Sequence, residues 1–218
     1  ARALRGMFYF ELVRRFGNVV LMTSTQMSNQ NPATYVQSAP EKVYEYIEDD
    51  LLYACPPPPP APHAHHRESN DYRFSKGAAL GLLTKVYATW AGYPVKDESK
   101  WEAAAKTARI LVESGKHGLL KDYEQLWKNT CNGTWDPTES LIEISFYSPT
   151  VSGNSDPVGR IGKWNGVKTT AIAGVRGSCA ANVKVVHTFV LDWREDVSDI
   201  RRDLSIANYQ YKKKKKSL

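Results

Sequence analysis

Cysteine and methionine are scarce in this sequence, with three of each among 218 residues. Cys55, Cys131 and Cys179 form no C-x-x-C pair and no other spacing that suits zinc. A disulfide framework is equally excluded, since three cysteines permit at most one bridge. No stretch of 18 or more apolar residues occurs, so nothing reads as a bilayer-spanning helix. A charged n-region, apolar h-region and cleavage site are also missing at the front. The chain opens at Ala1 inside an amphipathic segment, which reads as an internal piece of a longer polypeptide.

Catalytic signatures are lacking as well. There is no Gly-rich phosphate loop, nucleophile elbow or H-E-x-x-H helix. Asp192, Glu195, Asp196 and Asp199 offer a carboxylate group for glycoside hydrolysis. Set among Arg194, Arg201 and Arg202, they read better as a salt-bridged surface. The expectation is a protein that is not an enzyme, with no catalytic residue and no cofactor. Basic surface is scarce too, because the net charge of +6 contains the five lysines 212–216 and the remainder is nearly neutral. Nucleic-acid binding needs basic residues spread over a folded surface, so the run reads as a solvated tail.

What is present is helical. From Ala3 to Phe16 the residues Leu4, Met7, Phe8, Leu12 and Phe16 recur at helical spacing, and Gly17 supplies a stop. Pro40 to Ala54 forms a second helix with Val43, Ile47, Leu51 and Leu52 on one face. Pro56 through Pro60 then break regularity, because proline lacks the backbone N–H and has a fixed φ. His63, His65 and His66 follow in the same loop. Imidazoles can bind zinc or nickel, but no supporting residues flank them, so no metal ligand is assigned.

Ser75 to Trp90 and Lys100 to Ser114 read as an αα-hairpin joined by a turn with Gly92 and Pro94. In the first helix Gly77, Ala78, Ala79 and Gly81 alternate with Leu80, Leu82, Leu83, Val86, Tyr87 and Trp90, which permits close approach by another helix. Trp101, Ala104, Ala105, Ala108, Leu111 and Val112 form the facing stripe of the second. Stacked helix pairs of this kind are the unit of tetratricopeptide-like repeats.

Five segments in order carry a family resemblance. Ala3-Leu4-Arg5-Gly6-Met7-Phe8-Tyr9-Phe10-Glu11-Leu12-Val13-Arg14-Arg15-Phe16-Gly17 resembles the "RALRAFYYFDLVRLFGDVPL" helix of SusD/RagB proteins. Ser75 to Gly92 is similar to the "TKGAAKALLAKVYLYWAG" helix, and Trp101 to Leu119 to its partner ending "AKEVIDSGKYGL". Glu139 to Phe146 resembles the "NEIIFEI" strand, and Asp199 to Ala207 the "DKRRDWTIA" segment. The resemblance implies a mainly α fold: a tetratricopeptide-like, SusD-like α-α superhelix with an irregular, loop-rich second half containing short strands.

On this reading residues 1–54 are a first helix pair, 55–72 a proline- and histidine-rich loop, and 73–136 a second helix pair with its following loop. Residues 137–211 begin the loop-rich region, and 212–218 are the lysine tail. The resemblance further implies a surface-exposed, glycan-binding component of a nutrient-uptake system, held on the outer face of the outer membrane by an N-terminal lipid. It would pass oligosaccharide to a SusC-type TonB-dependent transporter. The alternative is a helical-repeat scaffold that binds peptide or protein, including a RagB-like peptide importer.

A sugar ring stacks its apolar face on Trp or Tyr while its hydroxyls seek polar neighbours. Residues 123–165 hold that mixture. One cluster comprises Tyr123, Trp127, Asn129, Asn132, Trp135 and Asp136; the other comprises Tyr147, Asn154, Asp156, Arg160, Lys163, Trp164 and Asn165. Large aromatics are mostly buried, so Tyr123 and Trp127 read as packing on the helical hairpin. Gly133 and Pro137 flank Trp135, and glycines surround Trp164, compositions that display side chains. The candidate ligand residues are therefore Trp135, Asp136, Asn154, Arg160, Lys163, Trp164 and Asn165.

Overall fold

The computed structural model describes residues 1–24, 27, 29–55, 71, 73–144, 164–172, 177–193, 198–209 and 211. It divides into two compact units, residues 1–143 and 144–218. The first unit contains α1 (Arg2–Phe16), α2 (Pro40–Ala54), α3 (Lys76–Ala91), α4 (Lys100–Glu113) and α5 (Tyr123–Asn132). Among the described residues, the second contains the short helices α6 (His187–Asp192) and α7 (Arg201–Ser205). The fold is mainly α, as the periodicity predicts.

Each of the first helices has a local reason to start or stop. Gly17 ends α1 with φ of 68°, a left-handed conformation that glycine adopts without a Cβ penalty. Pro40 occupies the first turn of α2, where its missing N–H costs nothing. The Ser75 hydroxyl accepts the Ala78 N–H at 3.1 Å and caps α3. Asp122 caps α5 by accepting the N–H groups of Glu124 and Gln125 at 2.9 and 3.2 Å.

Helices α1 to α4 pack in chain order, α1 on α2, α2 on α3 and α3 on α4. Phe10, Val43, Ile47, Leu51, Leu83 and Val86 are the largest fully buried side chains. Burying each contributes roughly 1.5–3 kcal/mol. Tyr44 of α2 stacks on Trp90 of α3 with ring centroids 5.3 Å apart and planes 14° from parallel. Two polar ties cross the seams. Arg5 donates twice to Asp50, both at 2.7 Å, joining α1 to α2. Glu48 of α2 accepts the Tyr87 hydroxyl of α3 at 2.6 Å and the Lys100 ammonium of α4 at 3.2 Å. That ammonium also stands 3.8 Å above the Trp90 ring, so a half-buried cation is satisfied by charge and by π density together.

Three sequence expectations change here. On α1 the buried face is Ala3, Gly6, Tyr9, Phe10 and Val13, whereas Leu4, Phe8, Leu12 and Phe16 are exposed. The helix carries two apolar stripes, and close approach decides between them. A Cβ on Gly6 would lie 3.3 Å from Leu51 Cγ, so α2 comes nearest where the side chain is absent. Leu52 is likewise exposed on α2, as are Trp101 and Val112 on α4.

The second change concerns α3. Gly77 and Gly81 admit a loop segment in place of a helix. A Cβ at Gly77 would meet the His117 ring, and one at Gly81 would meet Leu141 at 2.5 Å. The third concerns strands. Residues 139–144 form turn and coil, and the only pairings among the described residues are isolated bridges at Val19–Ser38 and Thr169–Cys179. Ser145 and Phe146 lie outside the described residues, as does the proline and histidine loop 56–70.

Candidate functional site

In the first unit the site residues sit on the segment that follows α4. Residues 115–120 are clasped to 137–139, with Gly118 N–H donating to the Thr138 carbonyl at 3.0 Å and Leu120 N–H to Glu139 Oε2 at 2.6 Å. The His117 ring lies 3.3 Å from the Pro137 carbonyl through Nδ1 and rests against Gly77 of α3. This clasp fixes Trp135 and Asp136 to the helical scaffold.

Asp136 spends its polar capacity locally. Its Oδ1 accepts the N–H groups of Thr138 at 2.8 Å and Glu139 at 3.4 Å, while its carbonyl accepts Ser140 N–H at 3.0 Å. The pattern is an aspartate-led turn. Its effect is to hold Trp135, half-buried, at the turn's entrance.

Tyr123 and Trp127 lie one turn apart on α5 and meet edge to face at 6.1 Å. Trp127 is 49% exposed, and no residue of α5 is buried. The sequence reading of these rings as core filler is therefore corrected: α5 stands on the surface and displays them. Asn129 accepts from Gln125 Nε2 at 2.7 Å on the same helix. The signal for this helix was present in the sequence, in Asp122 ahead of Gln125 and in Gly133, whose φ of 66° ends it.

In the second unit Trp164 is 45% exposed. Its carbonyl accepts Asn182 N–H at 2.7 Å, and Thr169 and Cys179 exchange two backbone hydrogen bonds at 3.0 Å. Residues 164–169 thus run antiparallel to 179–182, a short backbone brace beneath Trp164. Asn165 is exposed beside it. Asn154, Arg160 and Lys163 lie outside the described residues, as do Tyr147 and Asp156.

Of the acidic residues Asp192, Glu195, Asp196 and Asp199, Asp199 forms an ion pair with Arg201. Asp199 accepts Arg201 Nε at 2.8 Å, Arg201 Nη2 at 2.6 Å and Trp193 Nε1 at 3.0 Å. The Arg201 guanidinium holds its carboxyl well below the usual carboxylate range. A general acid for glycoside cleavage requires a shift in the opposite direction. Arg202 pairs with Asp203 in the same way at 2.8 Å. Glu195 and Asp196 lie outside the described residues. All three cysteines are free.

No family model matches the chain. Among curated proteins, a SusD-like protein of Bacteroides ovatus is 26% identical over 176 residues, which are 76% of this chain and 31% of that protein. Among solved structures, a SusD homologue from Bacteroides thetaiotaomicron is 94% identical, with a TM-score of 0.86 over 100% of this chain and 41% of that one. A laminarin-binding SusD-like protein is 25% identical, with a TM-score of 0.67 over 92% of this chain and 43% of that one. A structure containing a xylogluco-oligosaccharide is 30% identical, with a TM-score of 0.53 over 67% of this chain and 28% of that one. The chain spans less than half the length of each of these proteins. Similar in sequence over its whole length to a SusD homologue, and folded like it, the chain belongs to the SusD family.

Proposed function

We propose that this chain is part of a surface glycan receptor that captures oligosaccharide, leaves it uncleaved and passes it to a SusC-type TonB-dependent transporter in the outer membrane. The observation that carries the reading is the likeness in fold, over 92% of the chain, to a laminarin-binding SusD-like protein. The structure containing a xylogluco-oligosaccharide supports the same ligand class. Membership of the SusD family supports outer-membrane display through a lipid.

The proposed contacts are aromatic platforms with polar neighbours. Trp164 stacks on a sugar face, with Asn165, Lys163, Arg160 and Asn154 serving hydroxyl groups. Trp135 offers a second platform, and Asp136 acts chiefly by setting that ring's turn. Each planar contact is worth about 1–3 kcal/mol by analogy with other stacked ligands. Titration calorimetry with an oligosaccharide that binds the parent protein tests the assignment. Trp164→Ala or Trp135→Ala is expected to weaken binding about fivefold or more, consistent with that stacking energy. Unchanged affinity in both variants rules out these two rings as the stacking surface.

A further inference from the structure

Helices α2, α3 and α4 leave a cavity of about 300 Å³ between them, at the lower end of small-molecule site volumes. Leu52, Leu80, Leu83, Ala103 and Ile110 form most of its wall. Three polar side chains share that wall, and each gives its proton to the scaffold. The Cys55 thiol donates to the Leu51 carbonyl at 3.0 Å, the Thr107 hydroxyl to the Ala103 carbonyl at 2.8 Å and the Tyr87 hydroxyl to Glu48 at 2.6 Å. None of these donors is left for a ligand. A sugar ring would bury its hydroxyl groups against leucine side chains without partners, which is costly. The cavity therefore selects an apolar body.

Its charged lining has one sign. Lys76, half-buried at the start of α3, and Lys106, exposed on α4, complete the wall, and among the described residues no acidic side chain joins them. Among the described residues neither lysine is in an ion pair. Glu48, which the Tyr87 hydroxyl reaches, is already neutralised by Lys100 at 3.2 Å. Burial raises the Cys55 thiol and Lys76 partly opposes it, so this ammonium acts on the cavity wall. Lysine lays its stem along apolar surface and keeps its head in water, which sets two cations at the mouth of an apolar chamber. Such a chamber complements a hydrocarbon chain that ends in one anion. We propose that the cavity binds a free medium-chain fatty acid, its carboxylate between Lys76 and Lys106 and its tail among Leu52, Leu80, Leu83 and Ile110. The proposal is independent of the glycan reading, because nothing in the cavity serves a sugar hydroxyl.

Titration calorimetry of the 218-residue chain with sodium decanoate, kept below its micelle concentration, tests it on a sample shown by circular dichroism to be folded. Saturable binding of one decanoate per chain is expected. Octanoate, two methylenes shorter, should bind about fifteenfold more weakly, at about fourfold per methylene. 1-Decanol, which keeps the tail and lacks the charge, should bind at least about fivefold more weakly than decanoate, as should decanoate to the Lys76→Gln/Lys106→Gln variant. Ala103→Trp fills the cavity and should abolish binding. Absence of saturation overturns the proposal, as does decanol binding as tightly as decanoate, or undiminished decanoate binding to Ala103→Trp. If Ala103→Trp does not fold, the two lysine substitutions, at half-buried and exposed positions, decide: unchanged decanoate affinity in that variant overturns the assignment.

Discussion

Residues 1–107 and residues 108–211 differ in how they stay in place. Every described residue that is buried lies between Ala3 and Thr107, whereas Val183, Val186, Phe189 and Leu204 are all exposed. The earlier stretch is held by a shared apolar core with two polar seams. Beyond the partial packing of Ile110 and Leu111 on that core and of Leu141 at Gly81, the later stretch is held by turns, backbone bridges and ion pairs: the Asp136 turn, the Thr169–Cys179 bridge and the Asp199–Arg201 pair. A core resists deformation and serves as a mount. Segments without buried residues display their aromatic rings more fully, and Trp127 and the candidate platforms Trp135 and Trp164 all belong to this later stretch.

The largest expected effect probes that division directly. Phe10→Ala, at a site 1% exposed, is expected to cost about 3–5 kcal/mol in urea unfolding, whereas Phe189→Ala at 53% exposure should cost under about 0.5 kcal/mol. Comparable losses would mean that the later stretch has a core of its own. Next comes the α1–α2 seam. Asp50 is 2% exposed and its partner Arg5 sits nearer solvent. Arg5→Met is expected to cost about 2–3 kcal/mol, short of the loss for a fully buried pair, and Arg5→Lys should recover part of it.

A third test uses pH. Burial pushes the Cys55 thiol up from 9.0 to about 11. The folded state therefore favours the protonated thiol, its contribution is complete below pH 9, and it is lost as pH rises from 9.0 to about 11. The loss is on the order of 2 kcal/mol, and Cys55→Ala should remove that alkaline step from the stability profile. Cys55 should also react with thiol reagents far more slowly than exposed Cys131. The smallest effect belongs to the surface of α5. Lys128→Ala breaks a pair with Glu124 that is more than half exposed at both ends, and should change stability by less than about 0.5 kcal/mol.

The same contrast governs what was legible in the sequence. Helices α1 to α4 show through because periodicity, the Pro40 start, the Ser75 cap and the Gly17 stop all agree, and their observed ends fall within a residue or two of the expected ones. Which face of α1 turns inward was not legible. Two apolar stripes compete on it, and the tight approach of Leu51 to Gly6 favours the one that carries this glycine. The loop seated on Gly77 and Gly81 was hidden for a related reason: small residues announce a close approach without naming what approaches.

In the site, composition located the aromatic rings but not their supports. Asp136 reads as a ligand group by residue type, yet an aspartate ahead of Pro137 and Thr138 also has the makings of the turn it forms. Trp127 reads as core by residue type, and the exposure of α5 follows from tertiary packing alone.

The most direct test of the glycan-receptor reading is a tryptophan fluorescence titration of the folded chain, its helicity verified by circular dichroism, against laminari-oligosaccharides, xylogluco-oligosaccharides and matched short peptides. Saturable change with one glycan class and none with peptides is the predicted result. Saturation by peptides alone, or silence toward every glycan from a folded sample, would contradict it.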